Sequence, residues 1–309
     1  MDIKTINIRT LLWRVRTLLV VGLLCSLCLS NAYSQQPPKK KKIIFLSGPK
    51  DHGRPGRHEY EKDLRVLAYG LENATNLKGI TTEVYVGKAP RDINIYKDAA
   101  ALIILSSSDR SPNETHPLFP QAPTTDGKTY DAETLKFLQQ LDSLTQQGLG
   151  VAVFHFASHV ENWTARGYYV KWVGGLWVEG VSTNPTDNWK VSLPQSPTAQ
   201  KHPILNGVKP WEYKDEIFCK YMVLAGDPQR TDLLYAKAEK TVLPQQVASW
   251  AYQRDVGRGL MMGGIDFHSN MAIEDYRKYL LNGIAWIAGL DIPKEGIVAP
   301  LPANFSVNE

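Results

Sequence analysis

Histidine side chains, which exchange protons and bind metal ions near neutral pH, are concentrated at a few places in this chain. Two of the seven histidines lie in one glycine-rich loop, GPKDHGRPGRHEY (48–60). Imidazole and carboxylate groups follow three apolar stretches: His52, His58 and Glu59 the first, His155 and His159 the second, and Asp266 and His268 the third. This recurrence predicts that distant segments contribute to one polar site.

Such a set of groups permits two kinds of chemistry. Two or three neutral imidazoles with a carboxylate suit one divalent metal ion, and His52, His58 and His155 are the candidate ligands. Without metal, the same groups could act as general acid and base, with His155, Glu59 and His268 as the candidate catalytic residues. Any single histidine could equally be a structural, hydrogen-bonded side chain, so the prediction depends on convergence.

Three further residues are candidates for substrate binding: Asp109, Asp266 and Trp177. The chain is rich in tryptophan between 163 and 189, where most rings are expected in the core. An exposed ring could stack on the face of a sugar.

Several established active-site motifs are absent from the sequence. It contains no HExxH metal motif, no CxxC outside Cys25 and Cys28 of the N-terminal apolar run, no GxSxG elbow, and no GxGxxG or GxxxxGK[ST] phosphate loop. Cys219, in the apolar stretch DEIFCKYM, is expected to be a buried structural thiol.

The apolar periodicity predicts the elements that would position these groups. Helices are predicted where apolar residues recur at three- and four-residue steps, at 58–75, 130–148 and 273–290. Strands are predicted at 43–47, 81–87, 101–107, 150–158, 188–193, 232–238, 247–252 and 259–267, with a hairpin turn at DVGRG (255–259).

Alternating strands and helices predict an α/β fold with a doubly wound, mostly parallel sheet, helices on both faces and insertions. In such sheets, ligands bind at the carboxyl ends of the strands. The histidine-bearing loops are therefore expected to line one cleft.

The N-terminal 34 residues have the pattern of a secretory signal peptide, with four basic residues, an apolar run at 18–29 and a cleavage site after Ser34. An uncleaved anchor is the alternative. Removal lowers the formal charge from +4 to +1, which does not favour nucleic-acid or membrane partners. We predict a secreted or periplasmic protein with a linker at 35–42, a domain at 43–295 and a tail at 296–309.

Several segments in order along the chain carry a resemblance to a known family. They are the HEY loop, VFHFA, WVGG, KHPILNGVKPWEYKDEIF, a late GGIDFH and YLLNGIAWIAGL. Together they resemble the ThuA-like (trehalose-utilisation) family, over nearly all of residues 43–295. The resemblance implies a class I glutamine-amidotransferase-like (flavodoxin-like) fold. His155 stands near the position of the amidotransferase cysteine, so glutaminase activity is not expected.

The resemblance also implies a small-molecule carbohydrate as partner. The expected function is a hydrolase or lyase acting on a disaccharide or keto-sugar glycoside, with one divalent metal ion as a possible cofactor. Two alternatives stay open: a non-catalytic carbohydrate-binding protein, and a scaffold that has lost amidotransferase chemistry.

Overall fold

The computed structural model describes residues 40–110, 113–120 and 130–307. The predicted signal peptide and most of the predicted linker lie outside these residues, which from Lys40 onward belong to one compact unit. Within the described ranges, no helix is long and apolar enough to cross a membrane.

The described residues form eleven strands and five α-helices. The strands are β1 (Lys41–Ser47), β2 (Ile80–Val86), β3 (Ala99–Leu105), β4 (Gly150–Phe154), β5 (Gly175–Leu176), β6 (Thr186–Ser192), β7 (Trp211–Glu216), β8 (Met222–Val223), β9 (Arg230–Ala238), β10 (Gln246–Gln253) and β11 (Arg258–Met262). The helices are α1 (Tyr60–Glu72), α2 (Ala132–Gln146), α3 (Trp163–Val173), α4 (Pro197–Gln200) and α5 (Glu274–Ile287).

Nine strands form one sheet in the order β2-β1-β3-β4-β11-β10-β9-β6-β7, and β5 pairs separately with β8. The pairings from β2 to β11 are parallel, and those from β11 to β7 are antiparallel. The parallel strands β3 and β4 are continuous apolar runs because both of their faces are covered.

Helices cover both faces of the parallel part. Alternate strand residues face opposite sides, so Phe45 and Ile103 belong to one core and Ile44 and Ile104 to the other. The first core contains the apolar stripes of α1 and α5, and the second contains those of α2 and α3. The sheet is thereby fixed between two helical layers.

The antiparallel part begins with the hairpin predicted at 255–259. β10 and β11 pair from Gln253↔Arg258 to Ser249↔Met262, and Gly257 supplies the positive φ (83°) that the turn requires. At the far edge, β7 alternates buried and exposed residues because only one of its faces meets the core.

The pairing of β11 with β4 determines which strand ends lie next to each other. These strands run parallel, with Met262 in register with Phe154, so the residues that follow each strand emerge side by side. Both strands are shorter than predicted. β4 ends at Phe154 and not at 158, because His155 has a positive φ (52°), and β11 is followed at once by Gly263 and Gly264.

The prediction of a mixed α/β fold with helices packed on a large sheet is confirmed. The tryptophan-rich segment after β4 contains α3. β1 begins at Lys41, so two residues assigned to the linker belong to the sheet.

Candidate functional site

His155 occupies a sharp turn at the carboxyl end of β4. Its φ of 52° lies in the left-handed region, which is strained for a residue other than glycine and is found most often at functional sites. The side chain is fully buried, and its Nδ1 lies 3.1 Å from the carbonyl oxygen of Gly263, the residue after β11. The carbonyl oxygen can only accept, so Nδ1 carries the hydrogen and Nε2 presents its lone pair.

His58 is held against the segment after β11 by backbone pairing. Arg57 and Phe267 form an isolated antiparallel bridge, in which the His58 N–H donates to the Asp266 carbonyl (2.9 Å) and the His268 N–H to the Gly56 carbonyl (2.9 Å). His58 also has a positive φ (53°). The glycine-rich loop is therefore attached to the strand end beside His155.

Asp266 is positioned by a second carboxylate, Asp215. Asp215 on β7 is fully buried and accepts the backbone N–H groups of Ile265 (3.1 Å), Asp266 (3.1 Å) and Phe267 (3.3 Å). Ile265 has a φ of 93°, so this short segment is strained as well. Glycine at position 264 lets this segment approach Asp215, because a Cβ atom there would lie too close to the Asp215 carboxylate, at 2.8 Å.

Four side chains meet at this point: His58, His155, Glu216 and Asp266. Each offers one potential ligand atom, and these atoms all lie within 4.8 Å of one another. His58 Nε2 is 3.0 Å from Asp266 Oδ1 and 3.7 Å from Glu216 Oε2. Arg57 closes the other side, donating from Nε to Asp266 (2.6 Å) and from Nη2 to Glu216 (2.9 Å).

Three of these buried atoms lack an aligned hydrogen-bond partner among the described residues. They are His58 Nε2, His155 Nε2 and Asp266 Oδ1. A buried polar atom without a partner costs about 1–3 kcal/mol, so an unpaired group of this kind requires an explanation. Two imidazoles and two carboxylates form a donor set that could hold a divalent metal ion.

The charges within the group are strongly coupled. Burial lowers the pKa of His155 to about 4, so its imidazole is neutral. Burial would also lower the pKa of His58, but the neighbouring Asp266 and Glu216 carboxylates outweigh it and raise that pKa to about 9. The burial that would raise the pKa of Asp266 is outweighed by His58, His155 and Arg57, which bring it to about 2.

Of the candidate metal ligands, His58 and His155 belong to the four-residue group and His52 does not. The ring of His52 lies against that of His58, with centroids 4.0 Å apart, but its Nδ1 is 2.7 Å from Asp51 Oδ1. Ser107 and the Thr115 N–H bind the same carboxylate. His52 thus lies half-exposed at the mouth of the site.

The other two candidate catalytic residues lie outside the group. Glu59 forms an ion pair with Lys50 and accepts from the Gly56 N–H (3.0 Å). His268 Nδ1 is 2.6 Å from Asp63 Oδ1, and the buried pair packs beside the ring of Phe305.

Of the candidate substrate-binding residues, Asp266 alone belongs to the group. Asp109 is buried and accepts from the Glu161 N–H (2.7 Å). Trp177 is buried, with its ring 4.2 Å from that of His159. Trp163, at the start of α3, is 80% exposed, and Arg166 covers one side of its ring.

Sequence reasoning missed Glu216. It follows Asp215 directly, and adjacent residues on a strand point to opposite faces, so the sequence did not indicate which carboxylate belonged to a site. A signal was present in WEYKDE, where an acidic pair ends a strand of alternating pattern.

The fold and the site together define an α/β protein with a histidine- and carboxylate-containing centre at the carboxyl ends of parallel strands. The ThuA family, described as trehalose utilisation, matches residues 108–287. The match covers more than half of the chain, so this protein belongs to the ThuA family, as the sequence resemblance predicted.

Similar solved structures agree with this assignment. A protein described as ThuA-like from Bacteroides uniformis is 14% identical (TM-score 0.55) over 86% of this chain and 97% of its own. A second from Parabacteroides merdae is 14% identical (TM-score 0.53; 85% and 98%), and a cytoplasmic protein from Salmonella typhimurium is 12% identical (TM-score 0.51; 80% and 99%). At these identities the likeness concerns the fold alone. No curated protein matches the chain.

Proposed function

We propose that this protein is an enzyme that cleaves a keto-sugar glycoside, such as an oxidised disaccharide, at the centre formed by His58, His155, Glu216 and Asp266. The observation that carries the proposal is the group of four titratable side chains that face one another, with His58 and His155 at positive φ and His155 Nε2 buried without a partner among the described residues. Strain and unpaired polar atoms oppose folding, and they are retained most often where function requires them. The family's description, trehalose utilisation, supports a carbohydrate as the substrate class.

The proposed reaction is an elimination. A keto group at C3 of a sugar makes the neighbouring C2 proton acidic. A base removes this proton, and the C–H electron pair forms an enolate, whose oxygen is stabilised by a cationic group or a hydrogen-bond donor. When the carbonyl re-forms, a C1–C2 double bond replaces the C1–O bond, and the departing alcohol takes up the proton.

The side chains allow these roles to be divided. The four residues of the group face one another, whereas His52 beside them is half-exposed and can meet a substrate. We assign the proton transfer to His52, because Asp51 binds its Nδ1 and leaves Nε2 for the substrate. The exposed ring of Trp163 is the candidate platform for a second sugar unit.

The fold and the location of the protein are part of the proposal. The order β2-β1-β3-β4-β11 supports a flavodoxin-like, amidotransferase-like winding in which His155 takes the position of the nucleophilic cysteine. Because Cys219 is buried elsewhere, the protein would not be a glutamine amidotransferase. The apolar run at 18–29 supports export, which fractionation of the producing cells would test.

Turnover of defined sugars tests the function. The protein is incubated with 3-keto-trehalose and with trehalose, and the unsaturated keto product is followed by its ultraviolet absorbance. We expect turnover of the keto sugar alone, lost in Glu216→Gln and kept in Glu212→Gln, which changes an exposed glutamate of the same strand. Binding of either sugar without turnover would refute the enzyme and support a carbohydrate-binding protein.

A further inference from the structure

The four-residue group has the properties of a metal centre. We propose that His58, His155, Glu216 and Asp266 bind one divalent transition-metal ion, with a coordination position left open toward His52. The role of this ion in sugar cleavage rests on the proposed function, whereas its binding can be tested without any substrate.

Several buried polar atoms of the group have no aligned hydrogen-bond partner among the described residues. His155 and Asp266 are fully buried and His58 is 6% exposed, yet His58 Nε2, His155 Nε2 and Asp266 Oδ1 have no aligned partner in the described part of the chain. His58 Nε2 and Asp266 Oδ1 lie 3.0 Å apart without hydrogen-bond alignment, and His155 Nε2 offers only a lone pair. A cation at their centre would satisfy all three atoms at once.

The potential ligand atoms are separated by distances that fit a single bound ion. Ligand atoms bound at about 2.1 Å to a single ion lie roughly 3 to 4.2 Å from one another, depending on the coordination geometry. The separations of His58 Nε2 from Asp266 Oδ1 (3.0 Å) and from Glu216 Oε2 (3.7 Å) fall within this range. The largest separation in the group is below 4.8 Å, so shifts of a few tenths of an ångström would complete the shell.

Neighbouring groups orient the ligand side chains. The Gly263 carbonyl binds His155 Nδ1 and thereby leaves Nε2 for a ligand, and Arg57 binds Asp266 Oδ2 and leaves Oδ1. Metal-binding imidazoles and carboxylates are held by outer partners in this way. Arg57 also donates a hydrogen bond to Glu216, so it restrains both carboxylates.

The donor types define the class of ion. Mg²⁺ and Ca²⁺ prefer all-oxygen sites, whereas two imidazoles with two carboxylates suit Zn²⁺, Fe²⁺, Mn²⁺ or Co²⁺. Four protein ligands leave room for a fifth in ions that accept five or six. The ring of His52, which is 36% exposed, lies against that of His58, and this contact marks the side of the group nearest to solvent.

The experiment uses Zn²⁺ and Co²⁺ alone. Protein lacking the signal peptide is stripped with a chelator and titrated calorimetrically, and metal content is measured by mass spectrometry. We expect one ion per chain and, with Co²⁺, visible bands of a nitrogen- and oxygen-ligated centre. His58→Gln and His155→Gln should each weaken Zn²⁺ binding about 100-fold or more. Substitution of residues that only orient the ligands typically costs about 10–100-fold in metal affinity. Arg57→Lys should weaken it about 10–100-fold.

His52→Gln is the matched control, because it removes an imidazole from the same loop and should leave Zn²⁺ affinity unchanged. Glu212→Gln controls in the same way for Glu216→Gln. Thermal unfolding of each variant without metal establishes that it folds.

The outcomes separate this inference from the proposed function. Stoichiometric binding lost in both histidine variants, with or without turnover of a keto sugar, supports the metal centre. Absence of binding in folded wild-type protein, or equal loss in His52→Gln, would overturn it. Turnover of a keto sugar by protein that binds no metal would leave the proposed function standing.

Discussion

Replacing Asp215 by asparagine should weaken both the fold and the metal centre, although Asp215 is not among the four proposed ligands. Its Oδ2 accepts from the Ile265 N–H, and its Oδ1 accepts from the N–H groups of Asp266, Phe267 and Glu216. Asparagine keeps one oxygen and turns an NH₂ group toward the remaining donor. One buried N–H then loses its acceptor, which costs about 1–3 kcal/mol.

The loss should depend on pH in a defined direction. Burial, together with the nearby Asp266 carboxylate, raises the pKa of Asp215 from 3.8 to about 8. A raised acid pKa contributes stability that is fully present below pH 3.8 and is lost as the pH rises toward 8. Asparagine does not titrate. The free energy of unfolding of the wild type, minus that of the variant, should therefore decrease by about 1.4 kcal/mol per pH unit as the pH rises from 5 to 7.

Asp187 provides a matched control. It is the register partner of Asp215 on the adjacent strand β6, and it accepts from the N–H groups of Asn188 (2.7 Å) and Lys240 (3.1 Å), away from the centre. Asp187→Asn should lower stability and leave metal affinity unchanged. Asp215→Asn should weaken Zn²⁺ binding about 10–100-fold, because the backbone that carries Asp266 is less well held.

Urea unfolding in chelator at pH 5, 6 and 7, with calorimetric Zn²⁺ titration, measures both effects. A stability difference that is the same at all three pH values would refute the pKa argument. Equal Zn²⁺ affinity in wild type and folded Asp215→Asn would refute the positioning role.

The remaining predictions concern His116, Trp163 and Cys219. Burial lowers the pKa of His116 to about 3, and its Nδ1 accepts two backbone N–H groups, so its stabilisation is lost as the pH falls from 6.5 toward 3. In urea unfolding, the free energy of unfolding of His116→Gln should fall by about 1.4 kcal/mol less per pH unit than that of the wild type as the pH is lowered from 6 to 4. The same pH dependence in both proteins would contradict this. Trp163→Ala should raise the KM for a keto-disaccharide up to about tenfold and leave the melting temperature unchanged, whereas an unchanged KM would remove the ring from the substrate site. Burial raises the pKa of Cys219 to about 12, so a thiol reagent should label protein lacking residues 1–34 only after unfolding; labelling of the native protein would show that the thiol is accessible.

The sequence patterns predicted most of the elements but not their neighbours, and they missed β5, β7, β8, α3 and α4. Continuous apolar runs identify β3 and β4, and the glycine in DVGRG identifies the hairpin, because these signals are local. Strand order is not local: β11 lies beside β4 more than a hundred residues after it. The pairing of β11 with β4 brings His155 close to Asp266. From the sequence we expected only that the carboxyl ends of the strands would line one cleft.

The side chains of the site were likewise predictable only in part. His58, His155 and Asp266 were candidates because they follow strands in the sequence. His52 and Glu59 follow the same strand as His58, yet Asp51 and Lys50 hold them outside the group. Glu216 was missed because no strand was predicted at 211–216, and the choice between it and Asp215 also depends on which strand face meets the core. Such choices are made by tertiary packing and carry no sequence signal of their own.

The position of β11 beside β4 also has a consequence for biosynthesis. A growing polypeptide that has reached only α3 already contains His58 and His155, but it has neither the Gly263 carbonyl nor Asp266. Pairings between such distant segments form slowly compared with local ones. Ion capture must therefore come after the last strand has docked, and prematurely terminated products would lack the complete set of ligands.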